Sequence, residues 1–152
     1  MKIKEKFYKV LSRNDVGECH NSHQSGMSIN KIAARSEAFP KMSTTELNPR
    51  CTVRFLDDDG EEWECQYIYY NDLLFGKPSG KGHNEFRLTC IKDILRKYDV
   101  HSGDEVWFGI DECGVRHIGF VKQEVQKQEF TKDEEGAVVI KISNNWKTIQ
   151  FK

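Results

Sequence analysis

Between Ser12 and Ile29 the chain reads SRNDVGECHNSHQSGMSI, a stretch with almost no apolar side chains and a dense set of hydrogen-bonding groups: Arg13, Asn14, Asp15, His20, Asn21, Ser22, His23 and Gln24. These are the residue types that read nucleobases. In the DNA major groove Arg or Lys pairs with guanine O6 and N7, Asn or Gln with adenine N6 and N7, and Asp or Glu accepts from cytosine N4. Asp15 is therefore a candidate cytosine acceptor, while His23 and Gln24 can donate to guanine or bracket adenine. A second polar loop, GKPSGKGHNEF over 76–86, has the same character and runs on into Arg87. In an extended chain Glu85 and Arg87 project to one face about 7 Å apart, with Phe86 turned to the other side as an anchor. An acceptor beside a fork-shaped donor suits a C·G pair. Lys77 and Lys81 fit phosphates, where a lysine acts as a point charge. A closed loop of about 15 residues, at ~3.3 Å per residue, projects far enough to enter a groove ~8.5 Å deep. The acidic residues within these arms favour base reading over simple backbone clamping.

Positioning two such arms requires a rigid frame, and the rest of the chain alternates as strands do. Residues 3–11 (IKEKFYKVL) suit a first strand, and Met27–Ile29 is a short apolar restart after the first arm. Asn30 then caps one short helix over NKIAARSEAF, with Ile32, Ala33, Ala34 and Phe39 as its apolar positions, stopped before Pro40. Cys51, Val53 and Phe55 alternate with polar residues, and Asp57-Asp58-Asp59-Gly60 signals a hairpin, read as a solvated turn. The returning strand places Trp63, Cys65, Tyr67 and Tyr69 on one face. A strand through Phe86, Leu88 and Cys90 leaves the second arm, and Ile91–Tyr98 has helical spacing. EVWFGID and VRHIGFVK form a hairpin across Glu112-Cys113-Gly114, residues 123–135 read as a charged mobile loop, and AVVIKIS and WKTIQF close the chain as strands. No internal repeat stands out. Seven or eight strands, two short helices and regularly spaced turns predict a mainly β, open pseudobarrel forming one domain over 1–152.

Net charge is -1, which taken whole argues against a polyanion partner. The distribution reverses that impression. Both arms lie in basic segments: nine basic against five acidic residues over 1–50, and six against two over 76–98. The segments 51–75 and 99–135 are acidic, and local sign decides where a polyanion sits. No apolar run approaches the ~20 residues that span a bilayer, and the N-terminus lacks the apolar core of a secretory signal. Five cysteines, an odd number without a CxxC pair, predict reduced thiols in a cytoplasmic protein.

Four blocks carry a resemblance. NDVGECHNSHQSGMSI, then ELNP at Glu46–Pro49, IYYNDLLFGK at Ile68–Lys77 and NEFRLT at Asn84–Thr89 occur in the order and at the spacing of EcoRII-type restriction endonuclease N-terminal effector domains, and the chain resembles that family over about residues 8–90. The resemblance implies a DNA-binding pseudobarrel like the plant-type transcription-factor domain. Its two arms enter the major groove from opposite sides at CCWGG (W is A or T). By the motif match, His23 and Gln24 carry over from the first arm, and Lys77, Asn84, Glu85 and Arg87 from the second. There are departures: the first arm is longer around Glu18–Ser22, and Ser28 stands where the best-known member has a Tyr. The insertion PSGKG leaves His83 near an expected Arg. The full contact set is then Lys9, Arg13, Asn14, Asp15, His20, Asn21, Ser22, His23, Gln24, Ser28, Lys77, Lys81, His83, Asn84, Glu85 and Arg87.

The same resemblance implies a non-catalytic, monomeric domain binding double-stranded DNA, with no cofactor and no membrane partner. The nuclease chemistry and its Mg2+ belong to a separate catalytic domain of a longer protein, because the chain ends about where a linker should begin. Other readings are a free-standing DNA-binding regulator of the same fold and a metal site at Cys19-His20-x-x-His23, which lacks a fourth ligand. An RNA-binding barrel stacking bases on Tyr67, Tyr69, Tyr70 and Phe75 is a further one. A nuclease site on Asp57–Asp59 with Glu62 and Glu64 would need a lysine close by in the strand, and none is there.

Overall fold

A computed structural model describes residues 2–18, 26–75, 84–123, 137–143 and 145–151. In chain order the elements are β1 (Ile3–Val10), β2 (Met27–Ile29), α1 (Lys31–Arg35), β3 (Arg50–Leu56), β4 (Glu62–Tyr70), a 3-10 turn (Asp72–Phe75), β5 (Glu85–Thr89), α2 (Lys92–Lys97), β6 (Glu105–Asp111), β7 (Arg116–Val121), β8 (Ala137–Ser143) and β9 (Trp146–Phe151). The strands form one curled sheet in the order β2-β5-β4-β3-β7-β6-β1-β9-β8. It is an open half-barrel made of two antiparallel sections, β2-β5-β4-β3 and β7-β6-β1-β9-β8, joined through a parallel bridge between Leu56 of β3 and His117 of β7. The mainly β pseudobarrel expected from the alternation is what forms. Against the seven or eight strands expected, nine are present among the described residues, the apolar restart Met27–Ile29 adding one by pairing with β5. The charged loop expected over 123–135 lies, from 124 onward, outside the described residues.

Aromatic rings fill the interior between the two sections. Phe39, 1% exposed, stacks on Tyr67 of β4 at 5.2 Å and packs against Phe108 of β6 at 5.0 Å and Phe55 of β3 at 6.0 Å. Phe39 can reach that position because α1 is shorter than its sequence pattern suggests. Asn30 caps it as expected, its Oδ1 accepting from Ile32 N at 2.7 Å. The helix ends at Arg35, where Ser36 Oγ donates to Ala33 O at 2.6 Å and accepts from Ala38 N at 3.2 Å. This turn sends Ala38 and Phe39 into the core, while Ile32, expected on the apolar face, is 53% exposed. On the sheet's other face Tyr8, Trp107, Val121 and Ile149 form a smaller apolar cluster, and Lys6 Nζ lies 4.2 Å from the Trp107 ring centroid.

The two hairpins that meet at the bridge share one device. Asp57 Oδ1 accepts from the backbone N–H groups of Asp59 and Glu61, each at 2.9 Å, and Oδ2 accepts from Trp63 Nε1 at 2.9 Å. Asp111 Oδ1 accepts from Cys113 N at 2.8 Å and Val115 N at 3.0 Å, with His117 Nε2 at 2.8 Å from Oδ2. Both aspartates are buried, and each hairpin has a glycine at φ 82 three residues on, Gly60 and Gly114. The pattern Asp-x-x-Gly-x-x-Trp/His thus repeats, an internal repeat too short and too sparse to stand out in the sequence. The acidic hairpin is accordingly not a plain solvated turn. Asp58 is exposed, but Asp57 anchors the turn, and Lys97 of α2 reaches it at 2.7 Å. A lysine does therefore stand beside these carboxylates, supplied from a helix remote in sequence. Its ammonium is shared with Asp59 at 3.1 Å and Glu61 at 2.9 Å.

Burial alone would raise the Asp57 carboxyl, but hydrogen bonds from Lys97, Trp63 and Glu61 outweigh it and hold it well below the usual carboxylate range. His117 does the same for Asp111 against its own burial. Both folded values lie below the unfolded one, so this stability is complete above about pH 3.9 and is lost as pH falls towards the folded values. Asp57→Ala leaves two backbone N–H groups and an indole N–H without their acceptor, and is expected to lower the free energy of unfolding by about 3 kcal/mol. Asp58→Ala should stay within about 0.5 kcal/mol of the parent. Urea titrations at pH 7 and pH 3 check both: the Asp57→Ala deficit should shrink at the lower pH.

Candidate nucleic-acid interface

The first arm leaves the frame where β1 ends. Val10 N donates to Asn145 O at 2.9 Å, Leu11 N to Asp104 O at 2.8 Å, and Gly103 N returns a bond to Leu11 O at 2.8 Å. A tight turn follows. Ser12 N donates to Asp15 Oδ2 at 2.9 Å, Asp15 N donates to Ser12 Oγ at 3.2 Å, and Gly17 takes φ 77. The outgoing stem is then tied to a distant loop: Glu18 accepts from Ser102 Oγ at 3.0 Å and Ser102 N at 3.4 Å, with His101 Nδ1 at 3.2 Å. No sequence signal marks this tie, because 84 residues separate Glu18 from Ser102.

The returning stem is packed tighter still. Gly26 has φ 84, and a Cβ there would meet Leu88 O at 2.1 Å, so only glycine fits between the arm and β5. β2 pairs antiparallel with β5, setting Met27 opposite Leu88, Ser28 opposite Arg87 and Ile29 opposite Phe86. The exits of the two arms are thus neighbouring strands. The entry to the second arm is fixed by Asn71, 0% exposed, whose Oδ1 accepts from Asn48 N at 2.8 Å and whose Nδ2 donates to Glu46 O at 2.7 Å. Phe86, predicted to anchor the arm's exit, stacks on Tyr69 at 4.2 Å and on Tyr67 at 5.9 Å.

Five of the candidate contact residues converge at this junction. Lys9 Nζ donates to Asp15 Oδ1 at 3.0 Å, Ser28 O at 2.9 Å and Ser28 Oγ at 3.2 Å. Arg87 donates to Glu85 Oε1 at 2.8 Å and, through Nη2, to Gly26 O at 3.0 Å. Glu85 and Arg87 therefore share a face, as the alternation predicts, but their tips meet each other. The sequence reading counts Lys9, Asp15 and Arg87 among the DNA contacts, whereas their side chains are 2%, 6% and 6% exposed. Burial lowers the Lys9 ammonium's pKa, and the Asp15 carboxylate works against that shift. Arg13 is exposed, with Nη2 at 3.4 Å from Glu18 O, and Asn14 is half-buried. Asn84 is half-buried too, but its Oδ1 is buried with no hydrogen-bond partner among the described residues. His20, Asn21, Ser22, His23, Gln24, Lys77, Lys81 and His83 lie outside the described residues, as do Cys19 and the metal reading built on it. Of the rings in the RNA reading, Tyr67 is 0% exposed and stacked with Phe39 and Phe86, so it offers no face to a base.

A sequence model of the family described as "Restriction endonuclease EcoRII, N-terminal" matches residues 2–96, from β1 through nearly all of α2. Among solved structures, an Arabidopsis FUS3–DNA complex superposes with a TM-score of 0.57 at 22% identity, over 80% of this chain and 98% of that one. The B3 domain of the UbaLAI restriction endonuclease, solved with cognate DNA, gives a TM-score of 0.55 at 16% identity, over 99% of this chain and 88% of that one. At these identities the likeness is one of fold. A search of curated proteins finds no match.

The tie at the first arm's outgoing stem titrates. Glu18, and then Asp99, hold the His101 imidazolium above its ordinary value. Because the folded value is raised, the stabilisation is present below the unfolded value of about 6.5 and is lost as pH rises through the folded one. Glu18→Gln should move the His101 titration, followed by NMR, back down towards about 6.5. An unchanged titration would break the proposed link.

Proposed function

The chain belongs to the family of EcoRII restriction endonuclease N-terminal domains, and we propose that it binds double-stranded DNA sequence-specifically, reading CCWGG or a close relative through two arms in the major groove. The observation that carries this reading is where the family match falls: residues 2–96 include both arms and every strand of the junction between their exits. The two similar structures, each solved with DNA, support it. In this reading the chain supplies recognition only, and phosphodiester cleavage belongs to a catalytic domain elsewhere in a longer protein.

Glu85 and Arg87 are the reading pair of the second arm. A carboxylate accepts several hydrogen bonds, so Glu85 can hold Arg87 in place and accept a hydrogen bond from a cytosine N4 amino group at the same time. The bonds to Glu85 and Gly26 fix the Arg87 guanidinium before DNA arrives, which reduces the ordering that binding must otherwise impose. Asn84 brings an amide for adenine, and its unpartnered Oδ1 is an acceptor that binding can satisfy. His23 and Gln24 read from the first arm, with Arg13, Asn14, His20, Asn21 and Ser22 flanking them, while Lys77, Lys81 and His83 hold phosphates.

A selection from randomised duplexes at fixed salt should return one short site, bound with a salt slope of several phosphate contacts. Glu85→Gln should weaken that site by about 1–3 kcal/mol while slightly tightening random duplex, because it removes a negative charge. Lys77→Ala and Lys81→Ala should weaken all duplexes alike and each reduce the salt slope by about 1. A Glu85→Gln variant that loses as much on random duplex as on the selected site would overturn its role as a base reader.

A further inference from the structure

We propose that Lys9 touches no DNA but acts as an internal strut, a positioning residue that sets the spacing of the first arm's two stems and, through β2, the register of that arm against the second. The proposal rests on the DNA-binding reading above for its consequence, though not for its geometry.

Lys9 lies in the inward row of β1, between Phe7 and Leu11, both 2% exposed and both part of the main core. A lysine ammonium has three donors, and here Asp15 Oδ1, Ser28 O and Ser28 Oγ take three hydrogen bonds from it. The Trp146 ring, on the neighbouring strand, has its centroid 5.7 Å away. Buried and fully engaged, this ammonium has nothing left to offer a phosphate.

Its partners explain its position. Asp15 stands on the outgoing stem and Ser28 on the returning one, so a single side chain ties the two stems together. Asp15 is committed as well: Oδ1 to Lys9 and Oδ2 to Ser12 N. The strut also crosses the open side of the half-barrel. β1 is third from one end of the sheet and β2 is the strand at the other end. No ladder joins these two strands among the described residues, so Lys9 ties them by side chain alone. From Ser28 the constraint passes to β5, because Ser28 is registered opposite Arg87 and Arg87 grips Gly26 O.

The test uses the double variant Lys9→Met/Asp15→Asn, which removes one charge of each sign and so leaves the net charge at -1. Met keeps most of the lysine's length, and the introduced asparagine can still accept from Ser12 N. The double variant avoids the uncompensated buried carboxylate that Lys9→Met alone would leave. Two readouts are taken on the intact chain. For duplexes, binding to the selected site should fall at least 10-fold, with random-duplex affinity within 2-fold of the parent and the same salt slope. For the protein alone, amide exchange over Ser12–Glu18 and Gly26–Ile29 should accelerate at least 10-fold, with exchange in β3, β4 and β6 unchanged. A salt slope reduced by about 1 would overturn the proposal in favour of a phosphate contact, as would undisturbed exchange in the stems. If the parent protein prefers no duplex, the proposed function fails, and the exchange readout still decides whether Lys9 is the strut.

Discussion

A polar loop cannot be anchored by its own hydrophobic burial, and this chain meets that constraint with a buried ammonium. Lys9 holds both stems of the first arm, and water has almost no access to it. Such a group contributes little net stability, because desolvation offsets most of its Coulombic gain. Its contribution is directional. Three acceptors in fixed positions define one arrangement of the stems, whereas a cluster of leucines would tolerate several. Gly26 reinforces that choice, since its close approach to Leu88 O leaves no room for any side chain at that point of the stem.

The second arm is founded differently. Phe86 extends a line of stacked rings that runs from Phe39 through Tyr67 to Phe86 and Tyr69. The exit strand of this arm therefore inherits the rigidity of the aromatic core, while Asn71 fixes the entry. The antiparallel pairing of β2 with β5 joins the two foundations, polar and aromatic. The rings set where β5 lies, and the strut and Gly26 set where β2 lies against it. Some of the charge elsewhere is spent inside the protein. Lys97 belongs to a basic segment and Asp57 to an acidic one, but they bond each other at 2.7 Å. Segment sums of charge therefore overstate what either block presents to a polyanion.

The frame was legible in the sequence because alternation reports burial directly, one residue at a time. Cys65 and Tyr67 face inward as the pattern requires, and both hairpin turns fall where Gly60 and Gly114 mark them. The limits of α1 were not legible. Ser36 ends the helix with its own side chain, a local competition that apolar spacing does not register. Also hidden were the polar ties between residues far apart in sequence: Lys9 with Ser28, Glu18 with Ser102, Asp57 with Lys97. Each residue in these pairs reads as an ordinary surface group until the fold brings its partner. One signal was there to be used. In β1 the alternation that buries Phe7 and Leu11 also points Lys9 inward, and a lysine on the inward row needs acceptors.

The length of β2 shows why so much polar structure gathers at this point. A ladder of three residues is too short to specify its own register firmly, and slippage by one would exchange the buried faces of Met27 and Ile29 for that of Ser28. Met27 and Ile29, 1% and 4% exposed, resist the slip by burial. Ser28 resists it through two bonds from Lys9, and Gly26 through Arg87 and the contact with Leu88. A slip would carry the whole returning stem along by a residue, about 3.3 Å, comparable to the rise of one base pair. An arm meant to read particular bases cannot tolerate that displacement, whereas a clamp on phosphates could. The concentration of locks on this short strand is what the proposed base reading would require of the frame.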